Sequence, residues 1–287
     1  MLISKKGKAT LRQQTIQQKR SSGAVQHDHA KARSIATDSP YLHALGITNK
    51  QGKVLQQGQR KFRQINKYLE LIGHLLEQQP LRDQAHIVDM GSGKGYLTFA
   101  LYDYLQRQQN VQLTGIELRP KLVKQCNEVA QECNFEHLRF LAQDIHDFQP
   151  DGGIDMLIAL HACDTATDEA IAKGIRAEAQ LIVVAPCCHK QVRKAMQPPN
   201  KLQPMLQHGI LLERQAEMLT DAIRSLLLEA HGYETKVFEF INTAHTPKNV
   251  MITAVKGRPN QAALGQIAAL KRQFGINFHH LERLLAN

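Results

Sequence analysis

The stretch His86–Leu105, HIVDMGSGKGYLTFALYDYL, constrains the fold more than any other in this chain. An apolar pair, Ile87-Val88, runs to Asp89, and glycines then occupy alternate positions 91, 93 and 95. Leu97, Ala100, Leu101, Tyr104 and Leu105 follow at helical spacing. The pattern predicts a strand, a tight glycine turn and a helix. Glycine takes dihedrals that other residues avoid and lets main chain come close to a ligand. A glycine turn feeding a helix N-terminus aims free N–H groups and the positive end of the helix dipole at a small molecule. Asp89, Gly91, Gly93 and Gly95 are therefore the first site candidates.

The rest of the chain alternates in the same way. Leu113–Ile116 is a short apolar run ending on Glu117, and Leu138–Ile145 contains Asp144 near its end. Asp155–Leu160, Ala179–Ala185, Thr235–Ile241 and Val250–Lys256 read as further strands. A helix is expected over Gln59–Gln78, with Phe62, Ile65, Leu69, Ile72 and Leu76 on one face and Pro80 beyond its end. Pro120 opens another helix, in which Cys126 and Cys133 share the apolar face as core thiols. Asp221–His231, capped by Gly232, and Asn277–Leu285 complete the expected helices. Alternating strands and helices imply an α/β fold, a largely parallel sheet covered on both faces. The last two strands have no helix between them, so they are expected as an antiparallel pair at one edge. Ligands of such sheets bind beyond the carboxyl ends of the strands. That rule nominates Asp89, Glu117, Asp144, His161 and residues 186–190.

Gly91 and Gly93 begin the dinucleotide fingerprint G-x-G-x-x-G/A, but its last position is Tyr96. G-x-G-x-G preceded by an acid instead resembles motif I of the class I S-adenosylmethionine (SAM) methyltransferases. Two further stretches, LHACDTATD after the fourth strand and APCCHK after the fifth, are similar to one methyltransferase-domain family. That family includes bacterial members, and among its relatives is the eukaryotic tRNA acceptor-stem 2′-O-methyltransferase. KFRQINKYLELI at 61–72 and HTPKN at 245–249 extend the likeness, which covers about residues 60–257. The resemblance implies a Rossmann-like seven-stranded sheet, mostly parallel with one antiparallel edge strand. It also implies SAM as cofactor. Asp89 would lie near the methionine end, Gly91, Gly93 and Gly95 against the cofactor, Glu117 on the ribose hydroxyls, Asp144 near the adenine and Leu160 beside the pocket. A carboxylate accepts from two adjacent hydroxyls, which suits a ribose diol.

Methyl transfer from a sulfonium needs a positioned acceptor and a group that removes its proton. His161 or His189 is the expected base, oriented or charge-stabilised by Asp164. Cys187 and its neighbour Cys188 allow three readings. They are packing residues beside the cofactor, a thiolate nucleophile as in RNA cytosine-5 methyltransferases, or metal ligands together with His161, Cys163 and His189. Packing is preferred and no metal is expected, because C-x-x-C spacing is missing and adjacent cysteines chelate one tetrahedral ion awkwardly. The N/D-P-P-Y signature of amino-group methyltransferases is missing after the fourth strand.

Charge suggests the acceptor. The chain carries a formal net charge of +10. Eight cations, Lys5 to Arg33, stand against Asp28 alone in residues 1–35, so a basic arm precedes a nearly balanced body. Such an arm suits a polyanion, most often nucleic acid. Residues 189–209 add Lys190, Arg193, Lys194 and Lys201 with no acid, and Lys61 with Gln64 is expected to close the same pocket from the other side. Five cysteines without an apolar leader imply a reducing compartment, and no apolar run reaches membrane-spanning length, so a cytoplasmic protein is expected. The expected organisation is a basic arm and connector over 1–58, a methyltransferase domain over 59–257 and a helical extension over 258–287. The expected function is SAM-dependent methylation of RNA. The alternatives are a small-molecule or protein methyltransferase, and an RNA-binding protein that keeps the fold without turnover.

Overall fold

The computed structural model describes residues 2–3, 9–10, 35–150, 152–160, 162–197, 202–239 and 250–286. The chain divides into two compact units, residues 1–33 and 34–287. In the first, Leu2–Ile3 and Ala9–Thr10 pair as a two-residue antiparallel ladder. Most of the basic arm lies outside the described residues, as does the HTPKN stretch at 245–249.

The second unit contains a seven-stranded sheet. Its strands are β1 (Ala85–Met90), β2 (Val111–Glu117), β3 (Leu138–Ala142), β4 (Met156–Ala159), β5 (Leu181–Val184), β6 (Tyr233–Glu239) and β7 (Val250–Lys256). Their order across the sheet is β3-β2-β1-β4-β5-β7-β6. β1 to β5 run parallel, with Ile87 of β1 registered between Leu113 of β2 and Met156 of β4. β7 runs against both of its neighbours, so the reversed strand sits one place in from the edge and β6 closes the sheet parallel to the rest. The chain steps outward one way from β1 to β3 and then returns to the other side of β1 at β4. That reversal is a topological switch point, and it opens a crevice at the carboxyl ends of β1 and β4.

The helices of this unit are α1 (Pro40–Ala44), α2 (Gln59–Gln78), α3 (Tyr96–Leu105), α4 (Pro120–Glu132), α5 (Thr165–Arg176), α6 (Lys190–Ala195), α7 (Gln203–Leu206), α8 (Gly209–Ala230), α9 (Ala263–Phe274) and α10 (His280–Ala286). α2 has the bounds that its apolar stripe predicts, and buries Phe62, Ile65, Leu69 and Ile72. Adjacent residues of β1 serve different cores, as a period of two requires. Ile87 packs in a cluster with Ile65, Leu101 and Leu113, whereas Val88 packs with Ile171, Ile223 and Leu228.

Four expectations change in the structure. The segment read as a connector is part of the core: Tyr41, Leu42 and Ile47 are buried, and the Tyr41 ring stacks on Phe99 at 6.0 Å and 12°. The helix expected from Asp221 begins twelve residues earlier, because Leu212, Ala216 and Leu219 continue its apolar stripe. The segment 189–209, read as a loop, contains α6 and α7. The tail holds two helices rather than one, since Gly265 does not interrupt α9.

Candidate active site

The glycine turn lies between β1 and α3, at the switch point. Gly91, Gly93 and Gly95 have φ of +76°, +60° and +71°, the left-handed region that favours glycine. The last two differ in what surrounds them. A Cβ on Gly95 would stand 3.0 Å from the Phe99 ring and 3.1 Å from Phe140, so the core as well as the backbone requires glycine there. A Cβ on Gly93 would meet only Arg119 Nη2, at 4.0 Å. Its open side belongs to a cavity of about 270 Å³ lined also by Lys61, Asp89, Tyr96, Glu117 and Leu160.

Two carboxylates face that cavity in different states. Asp89 is buried and its pKa is raised to about 6. Burial is the main cause, the charge of Glu117 adds to it, and the hydrogen bond donated by Thr98 Oγ1 at 2.6 Å opposes it. Burial also pushes Glu117 up, but the bonds it accepts prevail and hold it below the ordinary glutamate value. Arg119 donates from Nε at 2.7 Å, from Nη2 at 3.2 Å and from its main-chain amide at 3.0 Å, and the Gly93 amide donates at 3.0 Å. Glu117 therefore ties the end of β2 to the glycine turn. Lys61 reaches the cavity from α2, donating to Gln64 Oε1 at 3.0 Å with its Nζ 4.9 Å from the Tyr96 ring centre. Asp144 stands apart from these residues: β3 ends at Ala142, and the exposed Asp144 carboxylate accepts the His146 amide.

The second group of candidates lies after β4 and β5. His161 lies outside the described residues. The backbone of Ala162 passes 3.6 Å from the Cβ position of Gly91, so the chain leaving β4 abuts the glycine turn. His189 is buried, and its Nε2 is 3.2 Å from both carboxylate oxygens of Asp221. Its Nδ1 is buried with no partner among the described residues. The acid in contact with His189 is thus Asp221. Asp164 instead accepts the Gln191 amide at 3.2 Å and starts α5 from a left-handed φ of +55°.

Asp221 is held in turn by Arg224, which is fully buried and donates to Asp168 Oδ1 at 2.7 Å, to Asp221 Oδ1 at 3.2 Å and to the Asp164 carbonyl at 2.8 Å. This Asp168–Arg224–Asp221–His189 chain is not legible from sequence spacing. Its one signal is a pair of charges, Asp221 and Arg224, facing inward from an otherwise apolar helix stripe. His189 also borders a cavity of about 640 Å³ whose walls include Met218, Leu226 and Val237.

The cysteines separate into two kinds. Cys126 is a core thiol, its pKa pushed up to about 12 by burial, and burial likewise raises half-buried Cys133 to about 11. Cys163, Cys187 and Cys188 gather: Cys187 Sγ lies 3.2 Å from Cys163 Sγ and 3.7 Å from Cys188 Sγ. Burial and the two neighbouring thiols push Cys187 up to about 12. A free thiolate nucleophile at Cys187 therefore loses support.

Of the basic residues after β5, Lys190 is exposed and Arg193 pairs with Glu213 of α8 at 2.9 Å, while Lys201 lies outside the described residues. Among the described residues no helix is long and apolar enough to cross a membrane.

Residues 60–195 match a family profile described as a methyltransferase domain. That stretch is a methyltransferase domain. The chain is 26% identical over 234 residues to a mouse glutathione S-transferase C-terminal domain-containing protein, covering 73% of this chain and 35% of the mouse protein. It thus spans about a third of the length of that curated relative. A trans-aconitate 2-methyltransferase from Enterobacter sp. (strain 638) is 29% identical over 85 residues, 30% of this chain and 31% of the enzyme. Magnesium protoporphyrin IX methyltransferase from Synechocystis, solved with bound SAM, aligns over 76% of this chain and 90% of its own, with 15% identity and a TM-score of 0.44. The strand order itself has the switch point and the single reversed strand of the expected sheet.

Proposed function

We propose that this domain transfers a methyl group from SAM to RNA. The observation that carries the cofactor reading is the cavity at the carboxyl ends of β1 and β2, in which the open face of Gly93 and the Glu117 carboxylate meet. A nucleoside fits that chemistry. Glu117 offers its two oxygens to a ribose diol when the exposed Arg119 side chain gives up its two bonds to them, and the glycine turn admits close approach of the ligand to main chain. SAM supplies, when bound, an electrophilic methyl on a sulfonium. The chain's own residues position the acceptor and take its proton. His189, with Asp221 behind it, is the described residue equipped for that proton, and His161 is its rival.

Support for RNA comes from charge: eight cations in the first 35 residues, then Lys190 and Lys194 exposed on the segment that follows the reactive cluster. Phosphate contacts of this kind position a strand without reading its sequence. The reading includes a cytoplasmic location, in keeping with five cysteines of which none is paired in a disulfide among the described residues. A small-molecule acceptor is the second reading, favoured by the apolar cavity beside His189. One experiment separates the two. Labelled SAM is incubated with the protein and RNA from a strain deleted for it, beside RNA from the parent strain. Label entering only the deletion-strain RNA supports RNA methylation. SAM binding with no label in either RNA pool moves the assignment to the small-molecule reading.

A further inference from the structure

The three cysteines after β4 and β5 form a group whose geometry matches a metal face better than a packing cluster. The Sγ atoms of Cys163, Cys187 and Cys188 all lie within 4.8 Å of one another, with two of the separations at 3.2 and 3.7 Å. Zinc–sulfur bonds of about 2.3 Å at tetrahedral angles put ligand sulfurs about 3.8 Å apart. The adjacent pair Cys187 and Cys188, expected from sequence to chelate awkwardly, in fact turns both sulfurs towards Cys163. The chain direction explains this: Cys187 and Cys188 lie where the backbone leaves β5, beside the parallel exit from β4 that carries Cys163.

We propose that Cys163, Cys187 and Cys188 bind one thiophilic divalent ion of the zinc class. The three sulfurs occupy one face of a tetrahedron, and each thiol gives up its proton on ligation. His189 does not complete the shell, because neither of its ring nitrogens lies within 4.8 Å of all three sulfurs. Cys163 is exposed, so the triad is reachable from solvent and water can take the fourth vertex. The soft donor set selects zinc over magnesium or calcium, which take oxygen ligands. The backbone beside the triad is strained as well, with Asp164 in a left-handed conformation directly after Cys163. This assignment rests on the sulfur geometry and stands apart from the methyl-transfer reading.

Cobalt titration of the full-length, reduced, metal-free protein tests it. Cobalt bound by thiolates shows a sulfur-to-metal charge-transfer band, which zinc then bleaches by displacement. The expected result is one cobalt per chain with that band. Cys163→Ser, at an exposed position, should abolish the band with an unchanged circular dichroism spectrum, and Cys188→Ser should do the same. Cys133→Ser, away from the cluster, should leave it intact. A wild-type protein without the band overturns the proposal by itself, whatever the variants do. So does a band that survives Cys163→Ser, or a Cys163–Cys187 disulfide found by mass spectrometry under non-reducing conditions together with no cobalt uptake by the reduced protein.

Discussion

Replacing Asp89 by asparagine should make this protein more stable while weakening its site. The carboxyl is buried at the end of β1, and its pKa rises from an ordinary 3.8 to about 6. At about 1.4 kcal/mol per tenfold change in proton affinity, that displacement makes the ionised carboxylate cost about 3 kcal/mol of folding free energy. Above pH 6 Asp89 is ionised in both the folded and the unfolded chain, and the whole penalty is present. As pH falls through 6 the folded form takes up a proton, and below 3.8 both forms are protonated and the penalty is gone. Asparagine has nearly the same shape and keeps an oxygen to accept the Thr98 hydroxyl. Asp89→Asn should therefore raise the melting temperature by roughly 6–12 °C at pH 7.5 for a unit of this size, with the two proteins converging near pH 4. Thermal and urea unfolding of both proteins across that range measures it. Equal midpoints at pH 7.5, or a gap that persists unchanged at pH 4, would refute the reasoning. The same variant should bind SAM more weakly at pH 7.5, which calorimetry reads separately.

Glu117→Ala should lower SAM affinity by about tenfold or more, since each hydrogen bond to a charged group is worth about 1.5–3 kcal/mol, and Gly93→Ala should lower it by placing a methyl in the cavity. Calorimetry showing unchanged affinity in both would remove the cofactor assignment. Arg224→Met strands the carboxylates of Asp168 and Asp221 in the interior and should cost about 3–5 kcal/mol, seen as a lower urea midpoint. His189→Asn and His161→Ala, compared at saturating SAM and RNA, should identify the base: the one that loses about a hundredfold or more in turnover carries that role. Deleting residues 1–35 should flatten the dependence of RNA affinity on salt by about 0.7–0.9 per lost phosphate contact and leave SAM affinity alone, and an equal slope with and without the arm would reduce it to a solvated tail.

Local pattern determined the strands, the helix α2 and the glycine turn. Periods of two and 3.6 are written in consecutive residues, and three alternate glycines after an acid leave few backbone paths. The placing of Glu117 at the same end of the sheet as the glycine turn follows from strand ends in a parallel sheet, whereas its bond from the Gly93 amide is a product of the tertiary structure. Tertiary structure decided what depends on distant residues meeting. Tyr41 looked like part of a loop-rich connector, and only its stacking on Phe99 makes it core. The first turns of α8 expose Ile210 and Leu211, so their helical period is blurred until Ala216 and Leu219 find the interior. The acid beside His189 is Asp221, 32 residues away, brought there by the packing of α8 against the segment after β5. The sequence offered the meeting of Cys163 with Cys187 and Cys188 as one of three readings, and the fold decided it: Cys163 and Cys187 are 24 residues apart and meet because β4 and β5 are parallel neighbours ending at the same level. Hydrophobic periodicity acts between neighbours in sequence and survives in a string of letters. Carboxylate–imidazole and thiol–thiol contacts act over a few ångströms of space, and the fold alone sets those distances.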